Sequence, residues 1–181
     1  MSTEPLDYDP VQASRERWIE RGWAESAPGM AAVASVMRVD QIFGDRAATI
    51  LRPLGLTFAR YQVLGMLRWS GPLTLGAVSR RLWITPPTVT SAINRLEAAA
   101  LCQRVPHPTD ARATLVEISR DGSRVFDDAV DRLNDGLFGS LTLDGGVLTA
   151  DEVEVLLGLL GKIRAAAGDL ASSADADEVP T

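Results

Sequence analysis

The 181-residue sequence predicts a mainly α fold that carries one two-stranded β-ribbon. Three observations predict it. Apolar residues recur at spacings of three, four and seven through most of the chain, the period of helices with one buried face. Strand-like patterning is confined to two short neighbouring runs, CQRV at 102–105 and ATLVEIS at 113–119. Hydroxyl residues stand where helices would begin, at Thr57, Thr74, Thr85, Ser119 and Thr149, and each can accept from the free N–H groups of a first turn.

The elements follow in order. Residues 1–10 read as disordered, and 11–24 as a short helix carrying Trp18, broken by Gly22 and the stretch 26–29. A long amphipathic helix starts at Met30, with Val33, Val36, Phe43, Ala47, Ile50 and Leu54 on one stripe, and Pro53 and Gly55 end it. Thr57 opens a helix through Trp69 with Val63, Leu64 and Leu67 inside. Ser70, Gly71 and Pro72 form a turn. Thr74 opens a short helix with Leu75, Val78 and Leu82 inside. Thr85 opens the next, with Pro86 at the first helical position, where its missing N–H has no partner to lose. The ribbon then spans 102–119. Ser119 opens a helix to about Ser140, LDGG breaks it, and Thr149 with Glu152 forms a capping box for a last helix to about Leu170. That helix places Val153, Leu156, Leu160 and Ile163 inside, and residues 171–181 read as a disordered acidic tail.

Composition narrows the function. The chain is 46% apolar and 23% charged, an ordinary soluble composition. No apolar run approaches the roughly 18 residues of a membrane span. The acidic N-terminus lacks the features of a signal peptide, so the expected location is the cytoplasm and no membrane partner is expected. With one cysteine and one histidine, neither a disulfide framework nor a four-ligand zinc finger can form, and no metal or cofactor is expected. Cys102, within an apolar run, reads as a packed thiol. No nucleophile–base pair and no glycine-rich phosphate loop appears, so the chain does not read as an enzyme. Net charge is −6, yet residues 73–120 hold six arginines against three carboxylates, so a segment of +3 lies between flanks that together carry −9. A basic segment of this kind suits a polyanion better than the total charge suggests.

The helix opened by Thr85 is unusual. On a helical wheel, Val89, Ile93 and Leu96 share one side, while Pro87, Ser91 and Asn94 face the other way with Thr88, Thr90 and Arg95 beside them. That outer face is small, polar and almost free of acid. Ser, Thr and Asn are poor helix formers, and on an exposed face they suit hydrogen bonding to base edges and phosphates in a major groove. Free N–H groups at the start of the helix add an anion site. Two short helices, a tight turn and a hairpin make a winged helix-turn-helix, in which the helix enters the major groove and the wing reaches a neighbouring groove. At the wing tip, Asp110 and Arg112 stand two residues apart and project on one side of an extended segment. Arg112 can enter a narrow minor groove, with Asp110 holding its guanidinium.

Residues 73–104, LTLGAVSRRLWITPPTVTSAINRLEAAALCQR, followed by the wing HPTDARATLVEIS with its D-x-R signature, resemble the MarR (multiple antibiotic resistance regulator) family over roughly residues 30–168. The resemblance implies a homodimer. It divides the chain into a helical dimerisation region at 30–56 and 119–170 and a winged helix-turn-helix DNA-binding domain at 57–118, with an extra N-terminal helix within 11–29 outside the family's minimal core. By motif position, Pro87, Thr88 and Ser91 approach bases, Arg95 a phosphate and Arg112 the minor groove. The family's usual glycine before the first wing strand is Ala100 here, and the middle of D-x-R is Ala111. The resemblance also implies a pocket for a small aromatic or anionic effector, with Met37, Phe43, Tyr61 and Trp69 as its candidate walls. The expected function is a dimeric, sequence-specific regulator, a repressor of a pseudo-palindromic operator on double-stranded DNA. The alternative is a dimeric small-molecule-binding or protein-interaction module that has lost DNA binding.

Overall fold

A computed structural model describes residues 6–110, 112–142 and 146–169. The chain divides into two units, one ending at Arg46 and one beginning at Ala47. In the first, helix α1 (Pro10–Glu20) starts inside the stretch expected to be disordered. The Asp9 carboxylate accepts from the Val11 N–H at 2.8 Å and Pro10 occupies the first turn, a local start signal. Residues 1–5 lie outside the described residues. Trp18 packs edge-on against Trp23 with ring centroids 5.1 Å apart. Helix α2 (Ala27–Leu51) begins three residues before the expected Met30. Its apolar stripe does not form a core within this unit: Val33, Val36, Met37, Val39, Ile42 and Phe43 are all exposed.

The second unit holds the main core. After the last turn of α2, a 3-10 turn (Arg52–Leu54) ends at Gly55, whose φ of 69° is the left-handed geometry glycine tolerates. Helix α3 (Phe58–Ser70) is capped by Thr57, and α4 (Leu75–Leu82) by Thr74. Helix α5 (Pro86–Ala98), strands β2 (Cys102–Pro106) and β3 (Thr114–Ile118) and helix α6 (Arg120–Leu133) follow. Helix α6 continues through a π-helical turn (Asn134–Phe138) into α7 (Gly139–Thr142), where a single helix to residue 140 was expected. Val63, Leu64 and Leu67 of α3, Val78 of α4, Val89, Ile93 and Leu96 of α5, Val116 of β3 and Phe126, Ala129 and Leu133 of α6 close into one buried cluster with Leu51.

The sheet has three strands, not two. Strand β1 (Leu73–Thr74) pairs antiparallel with β3, giving the order β1-β3-β2, with Cys102 opposite Ile118 and Pro106 opposite Thr114. Two residues carry no readable alternation, and Thr74 was already accounted for as a helix cap.

The base of the hairpin is knotted to α6. Ser119 Oγ donates to the Ala100 carbonyl at 2.8 Å and accepts from the Gly122 N–H at 2.9 Å, while the Ser119 N–H donates to the Leu101 carbonyl at 3.0 Å. Ala100 holds φ at 56°, a left-handed conformation that costs a residue with a Cβ about 1 kcal/mol. Ala100→Gly should therefore stabilise the fold by about 0.5–1 kcal/mol, read as a raised urea midpoint at unchanged slope. An unchanged midpoint would show that the strain is relieved elsewhere.

Helix α8 (Ala150–Ala166) has the expected capping box, with Thr149 and Glu152 bonding each other's backbone N–H. The inner face expected for it is not inside this chain. Leu156 is 43% and Ile163 60% exposed, Val153 and Leu160 are only half-buried, and no residue of α8 is buried. Its middle, residues 155–161, carries no polar or charged side chain on any face, a pattern that belongs in an interior. Leu170 and residues 171–181 lie outside the described residues. Among those described, no helix is long and apolar enough to cross a membrane.

Candidate nucleic-acid interface

Helix α4 ends at Trp83, which adopts a left-handed φ of 52° and leaves its indole exposed. The turn is stitched by Ser79, whose hydroxyl donates to the Ile84 carbonyl at 2.6 Å while its own carbonyl accepts from the Ile84 N–H at 3.3 Å. Thr85 holds the cap position, but its hydroxyl pairs with that of Thr88 at 2.9 Å instead of a backbone N–H. Pro86 and Pro87 fill the first two helical positions and have no N–H to offer, so Thr88 supplies the sole free backbone donor of the first three. The anion site expected at this helix start is therefore much weaker than a typical one.

Val89, Ala92, Ile93 and Leu96 are buried, so the opposite face of α5 is turned outward. Pro87, Thr88, Thr90, Ser91, Asn94 and Arg95 are all exposed, as the helical wheel requires. Besides Thr88, whose hydroxyl pairs with Thr85, two of them are engaged. Thr90 donates its hydroxyl to the Pro86 carbonyl at 2.9 Å. The Asn94 side-chain carbonyl accepts from Arg104 Nη2 at 2.7 Å, and the same guanidinium bonds the Glu97 carboxylate. Arg104, on β2, thus braces the hairpin against α5. Its partners are seven and ten residues away, beyond the reach of local pattern reading. Arg60 was also missed. It donates to Thr57 Oγ1 at 3.2 Å and to the Gly55 carbonyl at 2.9 Å. Together with Thr57, Pro87, Thr88, Ser91 and Arg95 it lines an open groove of about 480 Å³ along the outer face of α5.

The wing tip departs from expectation. Asp110 does not hold the Arg112 guanidinium. Its carboxylate accepts from the Arg112 backbone N–H at 2.9 Å, the local bond that short acidic side chains make two residues ahead in turns. His107 Nδ1 accepts from the Asp110 N–H at 3.1 Å and the Thr109 N–H at 3.3 Å, so the histidine builds the turn. Arg112 is exposed; Ala111 lies outside the described residues. Arg80, Arg81, Arg95 and Arg112 have no ion-pair partner among the described residues, and the only carboxylate of α5, Glu97, is taken by Arg104. The outcome is a surface of unneutralised guanidinium groups around a hydroxyl-rich helix, suited to a polyanion.

The four effector-wall candidates sit differently from one another. Met37 and Phe43 are exposed positions of α2 in the first unit. Tyr61, 9% exposed, is a core residue stacked on Phe126 at 5.3 Å, and burial raises its pKa. Trp69 is 74% exposed and meets Phe126 edge-on at 5.2 Å, so Phe126 joins these two. Cys102 is buried, and burial, with Glu97 adding and Arg104 opposing, pushes its thiol up to about 11. It is the inert packed thiol the sequence suggested.

Two helices at a tight turn, an outward polar second helix and a three-stranded wing define a winged helix-turn-helix protein. The family model of the MarR family matches residues 54–113. The multiple antibiotic resistance protein MarR of Salmonella typhimurium is 33% identical over 113 residues, 62% of this chain and 76% of that one. The crystal structure of Sco5413, a MarR family transcriptional regulator from Streptomyces coelicolor, superposes with a TM-score of 0.70 at 35% identity, covering 80% of this chain and 99% of that one. A mutant MarR from E. coli, solved in complex with operator DNA, superposes at 0.66 with 28% identity over 72% of this chain and 91% of that one. The chain belongs to the MarR family of transcriptional regulators.

Proposed function

We propose that the chain acts in the cytoplasm as a homodimeric, sequence-specific DNA-binding repressor whose operator affinity a small aromatic or anionic molecule modulates. The observation that carries this reading is the outer face of α5, exposed, hydroxyl-rich and free of unpaired carboxylate, with Arg95 on that helix and Arg112 at the wing tip both without an ion-pair partner among the described residues. The relative solved with operator DNA supports the same polyanion. In this reading 57–118 is the DNA-binding lobe, and 30–56 with 119–170 the dimerisation region. Pro87, Thr88 and Ser91 approach bases, Thr90 and Asn94 flank them, and Arg95 meets a phosphate. Arg112 enters the minor groove from a tip whose shape Asp110 maintains. The exposed apolar surface of α8 supports the dimer, because contiguous exposed apolar area of this kind marks an association surface. A two-fold axis would set two copies of α5 about 34 Å apart on a pseudo-palindromic site. For the effector, Trp69 offers an open aromatic face, and Tyr61 contributes as a core support through Phe126.

Arg112→Ala should weaken binding to the DNA upstream of the chain's own gene and reduce the slope of log affinity against log salt by about one per protomer. A fluorescence titration across salt concentrations measures both. Unchanged affinity and slope would remove Arg112 from the interface, and no binding by the parent protein at low salt would favour the module without DNA binding.

A further inference from the structure

The brace between the wing and α5 bears on which base is read, an inference that rests on the DNA-binding reading above. An asparagine free to rotate reads adenine, giving a hydrogen to N7 while its carbonyl accepts from N6. Asn94 is not free. Arginine carries donors and no acceptor, so the amide atom 2.7 Å from Arg104 Nη2 has to be the carbonyl oxygen. The bond is charge-assisted and therefore strong. The other arm of the same guanidinium is held by Glu97 one turn further along α5. The fork thus fixes the amide plane, aims its oxygen at β2 and leaves the amide nitrogen as the free end. No other residue takes those two hydrogens among the described residues.

We propose that Arg104 is a positioning residue that sets base specificity, turning Asn94 from an adenine reader into a donor-only probe of acceptor edges. In the major groove that pattern belongs first to guanine, whose N7 and O6 lie side by side, and then to thymine O4. The wing takes part in base selection without touching the base.

The test is selection from a randomised duplex library by the full chain, followed by titration of the recovered duplexes at constant salt. The parent protein should favour guanine over adenine by about fivefold at one position of each half-site, the size of a single good base-edge bond. Asn94→Asp keeps an oxygen for Arg104 and turns an acceptor outward, so the preference at that position should move to cytosine, whose N4 donates. Arg104→Met removes the fork but keeps an apolar stem, and adenine should rise to match or exceed guanine there. Base preference is the decisive readout, since loss of packing alone would lower affinity for all duplexes equally. If Asn94→Asp, an exposed and nearly isosteric change, still binds and returns the parent's preference at every position, the proposal is overturned. Flat enrichment by the parent protein would overturn the DNA-binding reading itself, and this inference with it.

Discussion

Gly122→Ala should destabilise the winged lobe by about 3 kcal/mol and lower its melting temperature by roughly 10 °C. Gly122 lies in the first turn of α6, and a Cβ placed there would stand 2.0 Å from the Leu101 carbonyl oxygen and 2.9 Å from Ile118 Cγ1. The first neighbour is backbone, so no rotamer change relieves the overlap. Leu101 is also held by the Ser119 N–H, and Ser119 in turn bonds Ala100 and Gly122. Moving one member of this knot disturbs the ends of α5, the hairpin and α6 together. Differential scanning calorimetry reads the shift. A melting temperature within 2 °C or so of the parent's would mean that the backbone here relaxes far more readily than its hydrogen bonds imply.

Leu159→Asp should have its effect on assembly. Leu159 is 54% exposed in the single chain, so the new carboxylate meets water there and the isolated protomer loses little. In a symmetric dimer the change occurs twice, and two unpaired charges buried in an apolar interface cost about 3 kcal/mol each. The dimer dissociation constant should rise roughly ten-thousandfold. Sedimentation equilibrium at micromolar protein would then report a monomer with an intact winged lobe. A variant that stays dimeric would exclude α8 from the interface.

The fold was legible wherever its signal was local. Thr57, Thr74 and Ser119 cap the helices they were expected to cap, because a cap needs a hydroxyl and the three residues after it. The buried face of α5 followed from period alone. Strand β1 was lost because two residues have no period. Asp110 was matched with the side chain of Arg112, although the backbone N–H of the same residue lies nearer in a turn. The brace from Arg104 to Asn94 and Glu97 joins a strand to a helix and leaves no trace in spacing. On α2 and α8 the periodicity marked an apolar surface, but period does not say whether the chain itself or a second copy covers it.

A consequence of that uncovered helix concerns abundance. Because no residue of α8 is fully buried within its own chain, the proposed dimer would be what orders this helix, and its stability would then grow with protein concentration as mass action requires. For a cell holding few molecules, doubling the copy number more than doubles the assembled protein. With the dimer as the proposed DNA-binding form, operator occupancy would then climb more steeply than expression, and the gene's dosage would become part of the switch.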